Sequence, residues 1–330
     1  MDAGSIWSIV LTSLTLVAAL ALAYRPLGDY IARVYTGERD LAVERFTYRL
    51  IGVDARGGQT WQAYLRSVLL FSVVGIVLVF TILRLQPFLP FALGLDAPGA
   101  ALSFNTAVSF VTNTNWQSYS GEATLGYTAQ FLALTVQNFV SAAVGIAVAV
   151  AVVRGFAWRR SGVLGNFWVD LVRGTYRLLL PFSVVAAVAL LAGGVIQNLS
   201  GFTDATTLAG AAQSLPGGPV ASQEAIKLLG TNGGGIFNVN SAHPFENPAP
   251  WTSLLQVFLM LVIPFSLPQA FGRMVGDDRQ GYTILSVMAV IFVTSTALLT
   301  RAELAGAGTA PQLAGGAMEG KEVRFGIFGS

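Results

Sequence analysis

The sequence contains no cysteine, a single histidine and few charged residues. The absence of cysteine excludes disulfides, thiolate zinc sites and cysteine nucleophiles, and His243 alone does not make a multi-histidine metal centre. Charged residues form 11% of the chain, whereas about 25% is usual in a soluble domain. The net charge is only +2, so the composition does not indicate a nucleic-acid partner.

Long apolar runs dominate the rest of the chain, since 54% of its residues are hydrophobic. Each run is close to the roughly 20 residues that a helix needs to cross the hydrocarbon core of a lipid bilayer. In that core a helix satisfies its own backbone hydrogen bonds. We therefore predict an all-α polytopic membrane protein with about six transmembrane helices. The predicted spans are 5–24, 67–85, 128–153, 177–197, 251–272 and 282–300.

The first span has two interpretations, a membrane anchor or a cleaved signal peptide. Ala21, Leu22 and Ala23 resemble a cleavage site, but a signal peptide carries its positive charge before the apolar run. Residues 1–10 contain no Lys or Arg, and Arg25 follows the run. This charge order favours an additional transmembrane helix at 1–24.

The basic residues are distributed unevenly between the loops, and this distribution orients the chain. Most of the 19 Lys and Arg residues lie in 25–66, in 154–176 and between the fifth and sixth spans. Because basic loops face the cytoplasm, we predict that 25–66 and 154–176 are cytoplasmic loops. The chain is then a multi-pass protein of the cell (inner) membrane with its N-terminus outside.

An internal repeat organises the spans. Residues 67–153 form one predicted helix–pore loop–helix unit with a short helix at 100–111, and residues 177–272 form a second with a short helix at 222–229. The span 282–300 would open a third unit. Residues 301–330 would be an outer tail that ends before a third pore loop.

Two polar loops follow the short helices, Thr112-Asn-Thr-Asn-Trp-Gln117 and Thr231-Asn-Gly-Gly-Gly235. Backbone carbonyls are the groups that replace the hydration shell of a potassium ion. Glycine and asparagine tolerate the left-handed angles that expose carbonyls, and a helix C-terminus presents the negative end of its dipole. The predicted potassium ligands are Thr112, Asn113, Thr114, Asn115, Gln117, Thr231, Asn232, Gly233, Gly234 and Gly235.

Simpler interpretations exist for the same residue types. A glycine run is often a flexible turn, and Asn and Thr often only hydrogen-bond between membrane helices. Residues 315–321 have the spacing of a phosphate-binding loop, but Glu322 replaces its Ser or Thr, so we expect this chain to bind no ATP. We interpret His243 and Glu246 as parts of an outer prolyl turn before the fifth span.

The segments 104–122 and 230–248, which contain both loops, resemble the potassium-binding A subunit of the Kdp-type potassium-transporting ATPase. The resemblance extends over the whole chain, to 320–326, although Ile236 replaces an expected aromatic residue. The family's subunit has four pore repeats, and this chain has two with the first helix of a third.

The resemblance implies the fold of the potassium-transporter superfamily, with K+ as the transported ion. It implies contacts to K+ from Thr112 to Asn115, from Gln117 and from Thr231 to Gly235. The implied partners are a P-type ATPase catalytic subunit, small accessory membrane subunits and the lipid bilayer. This chain would itself not be catalytic, because ATP hydrolysis would take place in the partner.

The expected function is therefore that of the potassium-binding and translocating subunit of an ATP-driven uptake pump. A stand-alone transporter of the same superfamily, driven by the membrane potential, and a non-functional truncated copy are alternatives. A membrane enzyme or scaffold would need clustered acidic or histidine side chains at membrane depth, and the sequence shows no such cluster. Since two loops supply roughly half of a coordination shell, we expect these 330 residues alone not to transport potassium.

Overall fold

The computed structural model describes residues 3–157, 162–237, 239–305 and 325, which are mainly helical. Within this part of the chain, six helical segments are long and apolar enough to cross a membrane. They are Val10–Thr36, Trp61–Arg84, Ala129–Ala157, Phe167–Ala192, Pro250–Val275 and Asp278–Ala302. The predicted all-α polytopic fold is confirmed. Arg159, Arg160, Ser161 and most of the predicted tail 301–330 lie outside the described residues.

Long membrane-crossing helices alternate with short ones along the chain. Two π-helical segments, Ala129–Thr135 and Gly174–Leu179, lead directly into the α-helices that begin at Val136 and Leu180. The helices are α1 (Ala3–Thr36), α2 (Ala42–Leu50), α3 (Trp61–Arg84), α4 (Ala100–Val111), α5 (Gly121–Thr124), α6 (Val136–Ala157), α7 (Phe167–Arg173), α8 (Leu180–Ala192), α9 (Val220–Leu229), α10 (Pro250–Val275) and α11 (Asp278–Leu304), with a 3₁₀ turn at Gln86–Phe88. The strands are β1 (Thr203–Thr206) and β2 (Ala212–Leu215).

The chain divides into two compact units, and the first comprises the described parts of 1–33 and 249–330. In this unit Gly28 of α1 lies so close to α10 that a Cβ atom would meet the side chain of Gln269. Asp29 accepts hydrogen bonds from Nε2 of Gln269 at 2.9 Å and from Nε of Arg273 at 2.7 Å. Close packing and polar pairing therefore join these two helices.

The second unit comprises the described residues between 34 and 248. Its apolar core lies where α3, α4 and the helix beginning at Ala129 meet, and it includes Val79, Phe110 and Leu134, all fully buried. Gly75 allows α3 to approach α4, because a Cβ atom there would lie 3.2 Å from Val111. This packing holds α4 in place, and α4 leads into the first polar loop.

A buried ion pair joins α6 to α7 in the second unit. The two terminal nitrogens of the Arg154 guanidinium donate to the two carboxylate oxygens of Asp170, at 2.6 and 2.9 Å. The hydroxyl of Tyr64 on α3 donates to Asp170 at 3.1 Å and completes the pairing. Buried charges are tolerated when they are paired and hydrogen-bonded in this way.

Three segments differ from what apolar runs alone predict. One is the predicted cytoplasmic loop 154–176, which is helical from Phe167 onward because α7 and the π-helical segment after it continue into α8. α1 continues to Thr36 instead of ending near residue 24, and its Asp29 is held by Gln269 and Arg273 of α10. The predicted cytoplasmic loop 25–66 therefore begins as helix, and it also contains α2. The turn-rich segment 199–221 contains an antiparallel hairpin of β1 and β2.

Candidate functional site

The first polar loop begins where α4 ends, and backbone hydrogen bonds fix its turn. The N–H of Asn113 donates to the carbonyl of Phe110 at 3.3 Å, and the N–H of Thr114 donates to the carbonyl of Ser109 at 2.9 Å. Asn113 has the left-handed φ of 64°. This is the Schellman arrangement that closes a helix, and asparagine tolerates its left-handed position better than most residues.

The second polar loop begins with the same turn at the end of α9. The N–H of Thr231 donates to Leu228 at 3.0 Å, and the N–H of Asn232 donates to Lys227 at 2.8 Å. Thr231 has a φ of 55°, which is rare for a β-branched residue and belongs to the kind of backbone strain that clusters at functional sites. After Asn232 the φ angles are positive again, at 83°, 71° and 151° for Gly233, Gly234 and Gly235.

Side chains tie the two loops together. The amide of Asn232 donates to the side-chain oxygen of Asn113, and the hydroxyl of Ser141 donates to the same oxygen at 2.8 Å. The amide of Gln117 donates to the carbonyl of Gly235 at 3.0 Å. The side chains of Asn113 and Asn232 thus hold the two loops to each other. Backbone carbonyls of the loops are then the groups left to bind an ion.

The first two glycines of the second loop have different surroundings. A Cβ atom at Gly234 would lie 3.2 Å from the carbonyl oxygen of Asn115 and 3.3 Å from Oε1 of Gln117. Gly234 therefore lies against the first loop and leaves little room for a side chain. A Cβ atom at Gly233 would have no atom within 4 Å, so this residue faces open space.

In the loop segments Thr112–Gln117 and Thr231–Gly235, most carbonyls accept no hydrogen bond from the residues that the structure describes. The exceptions are Gly234, which accepts from Nζ of Lys227 at 2.7 Å, and Gly235, which accepts from Gln117. Unpartnered carbonyls near helix C-termini are suited to a monovalent cation. They belong to Thr112, Asn113, Thr114, Asn115, Thr231, Asn232 and Gly233.

The side chains of the first loop divide into exposed and buried ones. Thr112 and Thr114 are exposed, and their hydroxyl oxygens lie 3.0 Å apart. Asn115 is buried, and neither polar atom of its amide has a hydrogen-bond partner in the described part of the chain. Because buried amides are normally hydrogen-bonded, the Asn115 side chain adds an oxygen that is available to a ligand.

A buried charged cluster behind the second loop was missed by the sequence-based prediction. Nζ of Lys227 lies 2.7 Å from Glu224 and 3.7 Å from Glu246, and all three side chains are at most 1% exposed. The interpretation of Glu246 as part of an outer turn was therefore incomplete, because its side chain faces inward. The sequence signal for the cluster was the pair Glu224 and Lys227, an acidic and a basic residue three positions apart in a short apolar helix. Charged side chains at membrane depth are usually functional.

Burial changes the ionisation of one carboxyl group in this cluster. It raises the pKa of Glu246 to about 8, an effect that Lys227 opposes and Glu224 reinforces.

The described residues contain no group of three or more His, Asp or Glu side chains that could hold a metal ion. The oxygens at the loops are neutral carbonyls, whereas divalent cations such as Ca²⁺ and Mg²⁺ are usually bound through carboxylates.

Comparison with known proteins matches the chain to one family. A family model described as the potassium-transporting ATPase A subunit matches residues 14–330. The potassium-transporting ATPase potassium-binding subunit of Clavibacter michiganensis subsp. michiganensis is 67% identical over 321 residues, and that of Cutibacterium acnes is 57% identical over 322. Both alignments cover 97% of this chain and 58% of the relative.

A third relative has the same description. The subunit of Mycobacterium avium is 62% identical over 317 residues, which cover 94% of this chain and 57% of the relative. The chain therefore spans somewhat more than half the length of these relatives.

Proposed function

Because this chain belongs to the potassium-transporting ATPase A subunit family, we propose that it binds K+ for an ATP-driven uptake pump. The observation that carries the proposal is the pair of matching turns at the ends of α4 and α9, with unpartnered carbonyls in both. Carbonyls are neutral dipoles, so they replace the water around K+ without holding the ion too tightly to release it. The two helix C-termini add their negative dipole ends.

The proposed ligands are the predicted residues of the two loops, in unequal roles. The carbonyls of Thr112 to Asn115 and of Thr231 to Gly233 contact the ion, since no hydrogen bond occupies them in the described structure. The carbonyls of Gly234 and Gly235 are engaged by Lys227 and Gln117. Gln117 therefore acts by holding the second loop in place.

ATP hydrolysis takes place in a partner under this proposal. The relatives are described as the potassium-binding subunit of a potassium-transporting ATPase, and such a description divides ion binding from hydrolysis. We infer that the partners are a P-type ATPase catalytic subunit and small accessory membrane subunits, and that this chain binds no ATP. The complex lies in the cell membrane with the N-terminus and both loops outside, because most basic residues fall in the opposite loops.

Co-purification tests this proposal. The full-length subunit is expressed with its partner subunits and isolated through a tag on the potassium-binding subunit. We expect the ATPase subunit to co-purify and K+ to stimulate ATP hydrolysis. Potential-driven K+ uptake into vesicles by the potassium-binding subunit without any ATPase partner would contradict the proposal and support the stand-alone transporter.

A further inference from the structure

We propose that Lys227 is a positioning residue that holds the second loop in the shape that binds K+, and this inference rests on the function proposed above. Its Nζ donates to the carbonyl of Gly234 at 2.7 Å and lies 2.7 Å from a carboxylate oxygen of Glu224. Lys227 lies seven residues before Gly234, so the helix that precedes the loop also anchors its tip.

The burial of the cluster makes this anchor strong. Lys227 and Glu224 are each 1% exposed, and Glu246 is fully buried. A hydrogen bond from an ammonium group is stronger than one between neutral groups, and water does not compete for it at such a depth. The Gly234 peptide is therefore held in one orientation.

The packing of Gly235 shows independently that the cluster lies against the loop. A Cβ atom there would lie 2.7 Å from Nζ of Lys227 and 2.8 Å from Oε1 of Glu246. The same carboxylate oxygen accepts from the N–H of Phe237 at 3.3 Å. The cluster thus contacts the loop at Gly234 and at Gly235, and it contacts Phe237 just after the loop.

The ammonium group is not itself a ligand, because a cation repels K+. The carboxylate of Glu224, 2.7 Å from Nζ, offsets its charge, so the cluster fixes the backbone without placing a net positive charge behind the loop. The role of Lys227 is to turn the Gly234 carbonyl toward itself. The unpartnered carbonyls of Thr231 to Gly233 then form a fixed set of oxygens for the ion.

Among the described residues, the first loop has no such anchor. In its turn the carbonyl of Ser109 accepts from the N–H groups of Thr114 and Asn115, just as the carbonyl of Lys227 accepts from those of Asn232 and Gly233 in the second turn. Ser109 is buried, and its hydroxyl has no hydrogen-bond partner in the described residues. Ionic anchoring therefore distinguishes the glycine-rich loop, whose three glycines give it more backbone freedom than the first loop has.

The test separates positioning from a contribution to stability. Removing Lys227 alone would leave buried carboxylates without their cation, which is strongly destabilising. The triple variant Glu224→Met/Lys227→Met/Glu246→Gln removes all three charges and keeps similar side-chain volumes. In the assembled full-length complex, we expect it to retain a thermal midpoint close to wild type. Its half-saturating K+ concentration for ATPase activity should rise at least tenfold, with poorer discrimination against Na+ and a smaller change in maximal rate.

A matched control removes a different buried ion pair. Glu44 is fully buried and paired with Arg177, outside both loops. The variant Glu44→Gln/Arg177→Met also replaces both partners of a buried pair, so it should keep a thermal midpoint close to wild type and leave the half-saturating K+ concentration unchanged.

A milder variant covers the case in which the triple variant fails to assemble. Lys227→Arg keeps the positive charge, but its bulkier guanidinium displaces the Gly234 carbonyl, so the half-saturating K+ concentration should rise several-fold. Wild-type K+ dependence and ion preference in either assembled variant would overturn the role of Lys227 and leave the proposed function standing. Absence of K+ stimulation in the wild-type complex would overturn the proposed function itself.

Discussion

The side-chain amide of Asn232 donates a hydrogen bond to the side-chain oxygen of Asn113, which lies 119 positions earlier in the chain. Asn113 follows α4 and Asn232 follows α9, so this bond joins the turns at the ends of the two short helices. Both asparagines also contact the hydroxyl of Ser141 on α6. The two loops therefore form one connected structure in the second unit.

Breaking this link should weaken K+ binding. In Asn232→Ala, the loss of a hydrogen bond worth about 1 kcal/mol should raise the half-saturating K+ concentration about fivefold. The measurement is the K+ dependence of ATPase activity in the assembled complex. Asn166→Ala is the control, because Asn166 caps α7 and contacts neither loop; it should lower stability and leave K+ dependence unchanged. Equal half-saturation in Asn232→Ala and wild type would show that the link does not shape the site.

A methyl group at Gly234 should separate the loops. Gly234→Ala would bring a Cβ atom to 3.2 Å from the Asn115 carbonyl, and overpacking of this kind costs about 1–3 kcal/mol. The half-saturating K+ concentration should rise about fivefold or more. Gly194→Ala is the matched control, because Gly194 has a φ of 95° and a Cβ atom there would meet only Pro248, at 3.5 Å. The account is wrong about Gly234 if both variants lose stability but retain wild-type K+ affinity.

A charge at Gly233 should alter ion preference as well as affinity. Gly233 faces open space, so the side chain of Gly233→Asp has room and places a carboxylate beside the unpartnered carbonyls. We expect weaker K+ binding and poorer discrimination against Rb+ or Na+, measured from the ion dependence of ATPase activity. Gly233→Ala imposes the same backbone strain without the charge and should change selectivity less. A wild-type ion preference in Gly233→Asp would favour a flexible turn over an ion site.

Cysteine labelling tests the orientation. The chain has no native cysteine, so Ser118→Cys and Ser161→Cys each introduce a single thiol. Ser118 is exposed just after the first loop, and it should react with an impermeant maleimide added outside intact cells. Ser161, in the basic loop, should react only after the cells are opened. The reverse pattern would place both loops on the cytoplasmic face.

Features that depend on local sequence could be predicted, and features that depend on distant contacts could not. Apolar runs indicated six spans, because the bilayer dictates their length. The predicted short helix 100–111 corresponds to α4 in the structure. The Asn113–Asn232 link and the approach of Glu246 to Lys227 depend on how separate helices pack. No periodicity in the sequence reports such contacts.

The roles of individual carbonyls also required coordinates. Gly233, Gly234 and Gly235 are equivalent as letters, yet the first faces open space and the other two are engaged by Lys227 and Gln117. The continuation of α1 to Thr36 was missed for a related reason, since its Asp29 is held by Gln269 and Arg273 on α10. In both cases the deciding partner lies far away in the chain.

Anomalous diffraction from thallium, a monovalent ion that substitutes for K+, tests the central claim most directly. Crystals of the assembled complex are grown in a thallium salt, and the anomalous peaks are located. We expect a peak within coordinating distance of unpartnered carbonyls from both loops, among them Asn115 and Gly233, and loss of that peak when K+ is in excess. A K+-competed peak that contacts neither loop, with none at these carbonyls, would show that K+ binds elsewhere.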